Sequence, residues 1–166
     1  TTTSPARPAT MRHTLGRLGD LGASTWEVDT RQGAAGAERG YTLTLRLAPD
    51  APQRLISVTN RLPDALALLP QSLGGGATYD AATHTLLWQD VLSPGTAHVI
   101  HYRARTAATL PDSTAVVNSI TAGYADQLVP LQLDATTWIG APDLTESRLA
   151  ATVLANGAVQ TATYTL

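Results

Sequence analysis

His98 and His101 are the first residues a metal site in this chain would recruit. They stand three apart in the alternating stretch TAHVIHYRART, and on a strand residues three apart point to opposite faces, so one ion cannot use both. His13 and His84 are remote in sequence, and without Cys a zinc site would need carboxylates. No metal is expected, and His98 and His101 read as surface residues of a strand. Asp64, Asp80, Asp90, Asp112 and Asp126 fall at turn-like positions. Structural calcium is the one cofactor such turns would suit. No Asp-x-Asp-x-Asp run is present, so hydrogen bonding to their own backbone is the expected role. No Ser sits in a Gly-x-Ser-x-Gly elbow, and Gly74–Gly76 lacks the Lys of a phosphate loop. A glycosidase would need two carboxylates about 5–10 Å apart in a cleft, which a small sandwich does not obviously offer. Trp26, Trp88 and Trp138 would suit stacking on a surface glycan, but Trp88, between Leu87 and Gln89, reads as a core anchor. Trp138, just before Gly140-Ala141-Pro142, reads as packing for an interdomain joint. The chain is expected to be no enzyme and to hold no cofactor.

Composition narrows the class. The 166 residues (17.4 kDa) carry 11 basic and 13 acidic side chains, a net charge of −2, and all the basic residues are Arg. Without a basic cluster, nucleic acid is not an expected partner. No apolar run approaches the ~18 residues of a spanning helix, so no membrane insertion is expected. The absence of Cys removes disulfides and thiolate chemistry, and the absence of Lys removes Schiff bases and Lys–Asn cross-links. Thr and Ala dominate, and Thr at that density favours strands. Thr1 follows no leader, which fits a processed exported protein or a piece of a longer one. TTTSPARP at 1–8 reads as extracellular linker.

The elements are short strands separated by turns. RGYTLTLRL (39–47) alternates with Tyr41, Leu43, Leu45 and Leu47 on one face. RLISVTN (54–60) reads as a strand, and 62–76, with two prolines and three glycines, as a long crossover loop with a helical turn over Asp64–Leu69. ATYD and TLLWQD read as a hairpin across AATH, followed by strands in 96–106, 113–124 and 128–140. No segment carries a sustained 3.6-residue period. Seven or so strands with turns every ~8–12 residues predict an all-β, immunoglobulin-like antiparallel β-sandwich.

One internal repeat sets the domain boundaries. Residues 20–43 and 143–166 align without a gap at an offset of 123. Both open Asp-Leu and close Tyr-Thr-Leu, with Ser24/Ser147 and Ala35/Ala158 also identical. This predicts an N-terminal arm (1–19), a sandwich (20–142) and a C-terminal β-hairpin arm (143–166) repeating the start of the domain. Asn156-Gly157 is a strong hairpin turn signal. An isolated two-stranded hairpin is marginal in water, so it needs a partner: an edge of its own domain, or a sheet in a neighbouring subunit. The intermolecular version, repeated head-to-tail, builds a filament. Its candidate subunit-contact residues are Leu149, Val153, Val159, Tyr164 and Leu166.

Tyr41-Thr42-Leu43, Leu62-Pro63 through Leu66, Trp88 with Pro94-Gly95, the strand from His98 to Arg105, and Val117-Asn118 follow one another in an order that resembles a known family. It is the bacterial and archaeal cell-surface "conserved repeat" domain, and the likeness runs from Gly40 to Tyr124. LAPDAPQ stands where that family carries an Asn-x-Gly-like loop, which puts one loop length in question. The resemblance implies an immunoglobulin-like fold, export to the cell surface after signal-peptide removal, and use in surface layers, adhesins or filaments. It implies no catalytic residues. The expected function is therefore a non-enzymatic structural subunit polymerising with copies of itself. The alternative is one repeat of a longer adhesin that binds a glycan or protein ligand through its loops.

Overall fold

The computed structural model describes residues 20–140 in full, together with the backbone of two strands at 148–153 and 160–165. Period-two alternation sets the architecture. The strands are β1 (Thr25–Val28), β2 (Gln32–Gly33), β3 (Glu38–Arg46), β4 (Arg54–Arg61), β5 (Leu66–Gly74) and β6 (Thr78–Asp80). They continue with β7 (Thr85–Leu92), β8 (Ala97–Thr106), β9 (Ala115–Gly123), β10 (Leu131–Ile139), β11 (Arg148–Val153) and β12 (Gln160–Thr165). A four-stranded sheet, β1-β3-β8-β5, faces a six-stranded sheet, β2-β10-β9-β4-β7-β6. The fold is all-β, an immunoglobulin-like sandwich. Its pairings are antiparallel except for β2, which lies parallel to the end of β10. No helix occurs among the described residues, so none is long and apolar enough to cross a membrane.

Along β3, Tyr41, Leu43 and Leu45 are buried while Thr42 and Thr44 stay half-buried. β8 supplies Ile100, Tyr102 and Ala104 to the same core, and turns His101, Arg103 and Arg105 outward. Ile56 and Val58 of β4, Leu86 and Trp88 of β7, Ile120 of β9 and Ile139 of β10 close it from the opposite sheet. The Asp20 carbonyl accepts from Ala48 N–H, and its carboxylate accepts from the Tyr124 hydroxyl. Arg54 lies 4.6 Å over the Tyr124 ring and 3.6 Å from the Asp20 carboxylate, so three parts of the chain meet at one corner.

The expected crossover loop over 62–76, with a helical turn at Asp64–Leu69, is instead the edge strand β5. Leu66 and Leu68 alternate into the core, and β5 pairs with β8 from Leu66 to Leu69 before its register shifts. Pro70 is tolerated because an edge strand has a side on which a missing N–H breaks no ladder bond. The glycines are not a flexible stretch either. Gly75 and Gly76 have φ of +76° and +72°, and a Cβ at Gly75 would fall on the Val99 carbonyl oxygen of β8.

Three side chains form a polar network in the middle of the core. The Tyr102 hydroxyl donates to Asn60 Oδ1 (2.7 Å) and accepts from Asn118 Nδ2 (2.6 Å). Asn60 Nδ2 in turn donates to Asn118 Oδ1 and to the Ser119 carbonyl, both at 2.8 Å. Trp26 Nε1 crosses from the other sheet to donate to the Asn118 carbonyl at 2.8 Å. The rings of Trp26, Tyr41 and Tyr102 pack together with centroids 5.3–5.9 Å apart. At the β2 end, Arg39 is buried with Nη1 donating to the Glu38 carbonyl, and its guanidinium lies directly against Gly33. Its Nε and Nη2 have no hydrogen-bond partner among the described residues.

Three outcomes follow from this core. Tyr102→Phe leaves Asn60 and Asn118 short of a partner and is expected to lower stability by about 1–3 kcal/mol in urea titration. Gly75→Ala forces a left-handed backbone on a residue with a Cβ, itself costing about 1–2 kcal/mol, and adds the clash with β8. Burial raises the Tyr102 hydroxyl far above the ordinary phenol range, and burial raises that of Tyr41 as well. The unfolded chain therefore releases these protons near pH ~10 while the folded chain holds them. Their contribution is full below pH ~10 and declines as pH rises further, so the melting temperature should fall there. It should fall less steeply in Tyr102→Phe, which has one fewer linked proton.

Candidate assembly site

β11 and β12 pair antiparallel from Arg148↔Thr165 to Val153↔Gln160 and form a two-stranded sheet of their own. Among the described residues, neither belongs to a sheet of the sandwich. Of the residues expected to make subunit contacts, Leu149 and Val153 lie in β11 and Tyr164 in β12, with Leu149 and Tyr164 opposite one another. Val159, Leu166 and the Asn156-Gly157 turn lie outside the described residues, as does the arm at 1–19.

β11 begins at Arg148, which stands 123 residues after Thr25, the first residue of β1. β12 covers the counterparts of Ala37–Thr42, where β3 begins. In the sandwich Thr42 is opposite Glu27, whereas its counterpart Thr165 is opposite Arg148, the counterpart of Thr25. The slip is two residues, an even number that leaves each position on its original face.

A hairpin of this kind adds to a sheet only where an edge is open, and the sandwich treats its edges differently. β5 carries Pro70 and a register shift, with the Ser72 hydroxyl donating to the Leu69 carbonyl and accepting from Arg103 N–H. β6 is three residues long and carries Asp80, whose carboxylate accepts from Ala82 N–H and the Thr83 hydroxyl. Beyond β6, the Val91 N–H of β7 donates to the Asp90 carboxylate. β1 is four residues. β10 is covered by β2 only at Trp138 and Ile139.

The two outer faces also differ. On the four-stranded sheet Glu38 is paired with Arg105 at 2.8 Å and Arg103 at 3.4 Å. The hydrogen bond from Arg105 holds its carboxyl below the usual range. Val99 is exposed on the same sheet, and the six-stranded sheet exposes Leu55, Leu87, Val91, Val117 and Trp138. Leu128 and Val129, at the β9–β10 turn, are exposed as well.

The residues singled out for chemistry separate. His101 is on the surface, but His98 is half-buried, stacked on Trp88 at 4.5 Å with Nε2 2.8 Å from the Gly75 carbonyl. It shares the inward parity of Ile100 and Tyr102, which corrects its reading as a surface residue. Asp80 bonds its own turn, while Asp90 lies within β7 rather than in a turn, and Asp126 reaches Arg54 at 3.9 Å. No three His, Asp or Glu side chains gather to hold a cation among the described residues. Trp26 and Trp88 are buried and Trp138 is half-exposed, so the three make no common stacking face. The Asn60–Asn118–Tyr102 network was not a sequence expectation. The only signal for it was Asn at inward-parity positions of two strands.

No protein-family model matches this sequence, and no curated protein matches it. Solved structures do match the fold. The RrgA Jo.In complex is similar over 73% of this chain and 80% of that one, with a TM-score of 0.61 and 10% identity. The collagen adhesin CNA from S. aureus matches over 70% of this chain and 48% of its own, with a TM-score of 0.51 and 10% identity. BcpA, the major pilin subunit of Bacillus cereus, matches over 70% and 39%, with a TM-score of 0.50 and 7% identity. This chain thus spans about half or less of the adhesin and pilin structures, and at these identities the likeness is one of fold.

Proposed function

We propose that this chain is a non-enzymatic, exported building block of an extracellular filament or surface layer, a repeat of the cell-surface "conserved repeat" class. Copies join head-to-tail, with the hairpin at 143–166 of one completing a sheet of the next and Leu149, Val153, Val159, Tyr164 and Leu166 as its contacts. The observation that carries this reading is the β11–β12 sheet, which among the described residues pairs with no strand of the sandwich. A two-stranded sheet alone is marginal in water, and strand addition is the contact that supplies its missing hydrogen bonds. The fold likeness to a pilin subunit supports the same reading.

The repeat favours a second reading. Strand positions that recur at an offset of 123 fit tandem domains, as in one repeat of a longer adhesin recognising a glycan or protein through its loops. Light scattering and negative-stain microscopy separate the two. The full chain is expected to polymerise and a chain ending at 142 to stay monomeric. If both stay monomeric, assembly through the hairpin is wrong and glycan and protein ligands become the object of search.

A further inference from the structure

We propose that the free edge of β10 is the acceptor for the β11–β12 hairpin of a second copy of this chain, an inference that rests on the assembly reading above. Trp138 N–H donates outward to the Arg31 carbonyl of the β2 segment, and Ile139 N–H donates inward to the Thr114 carbonyl beside β9. Backbone groups alternate sides along a strand, so the N–H and C=O of Gln132, Asp134 and Thr136 point outward as those of Trp138 do. No strand pairs with them among the described residues.

This edge already accepts a strand, since β2 lies on its last two residues. It borders a cleft of about 230 Å³, where β1 packs close to β10, lined by Trp26, Glu27, Arg31, Asp134, Thr136 and Trp138. β11 and β12 are six residues each, and the uncovered run of β10 is 131–137, so the lengths correspond. Among the described residues the hairpin pairs with neither large sheet. Alternate positions of the hairpin, Leu149, Ala151 and Val153 with Ala162 and Tyr164, are apolar, apart from Gln160 opposite Val153. An added strand in this register brings an apolar set to one face, beside the buried Trp26. The other edges are shortened, carry proline or satisfy a donor internally, whereas β10 combines length with three unpaired outward residues.

Amide exchange by mass spectrometry on the full chain, below and above its assembly concentration, tests this. The amides of Gln132, Asp134 and Thr136 are expected to slow by about tenfold or more on assembly. Unchanged rates there in assembled material, or protection appearing at β5 or β7 instead, overturn the inference while leaving the assembly reading intact. A wild-type chain that stays monomeric at every concentration overturns both. Asp134→Pro removes one outward N–H without breaking the β9 ladder, and Asp134→Asn is its control. A folded Asp134→Pro chain, with unchanged circular dichroism, is expected to stay monomeric while Asp134→Asn assembles. If the folded proline variant assembles, β10 is not the acceptor. If it does not fold, the exchange measurement decides.

Discussion

The Tyr102 hydroxyl, held between Asn60 and Asn118, is the contact on which the two layers depend. Hydrophobic burial brings sheets together without direction and tolerates sliding. A buried hydroxyl that must meet two amides does not, because each polar group left unmatched in the core costs free energy. Tyr102 belongs to the four-stranded sheet, and both asparagines to the six-stranded one. Trp26 adds a second tie in the same place by donating to the Asn118 carbonyl. Together they fix the registry of one sheet over the other, and the three stacked rings fill the space around them.

That registry has a consequence at the rim. Trp26 is drawn inward to reach β9, which holds the four-residue β1 close to β10 at this rim. The remaining rims are closed by ordinary devices. Pro70 blunts β5, β6 is very short, and Asp90 occupies a donor of β7. Charge and apolar exposure are distributed unevenly too, with Glu38, Arg103 and Arg105 beside Val99 on one face, and Leu55, Leu87, Val91, Val117 and Trp138 exposed on the other.

How much was legible in the sequence depended on whether a signal was local. Alternation was decisive for β3 and β8, where every second residue is large and apolar and the buried set matches the pattern. The ATYD–TLLWQD hairpin was legible because its turn residues lie between two such runs. β5 was not, because prolines and glycines carry the same meaning in a loop as on an edge strand, and only the neighbour decides which applies. His98 failed for a related reason: its parity was readable, but its half-burial came from Trp88, ten residues earlier on a strand of the opposite sheet. Asn60 and Asn118 looked like ordinary strand polars until the layers brought Tyr102 between them.

The amino-acid sequence by itself determined the all-β class, the positions of most strands, the inward faces and a repeat at an offset of 123, because each rests on residues close in the chain or on identity between two segments. Tertiary structure alone decided which strands share a sheet, that Asn60, Asn118 and Tyr102 meet, and that Arg39 is buried against Gly33. Those are relations between residues tens of positions apart. Their energies arise only when desolvation and backbone pairing bring the partners together, and no local pattern encodes them.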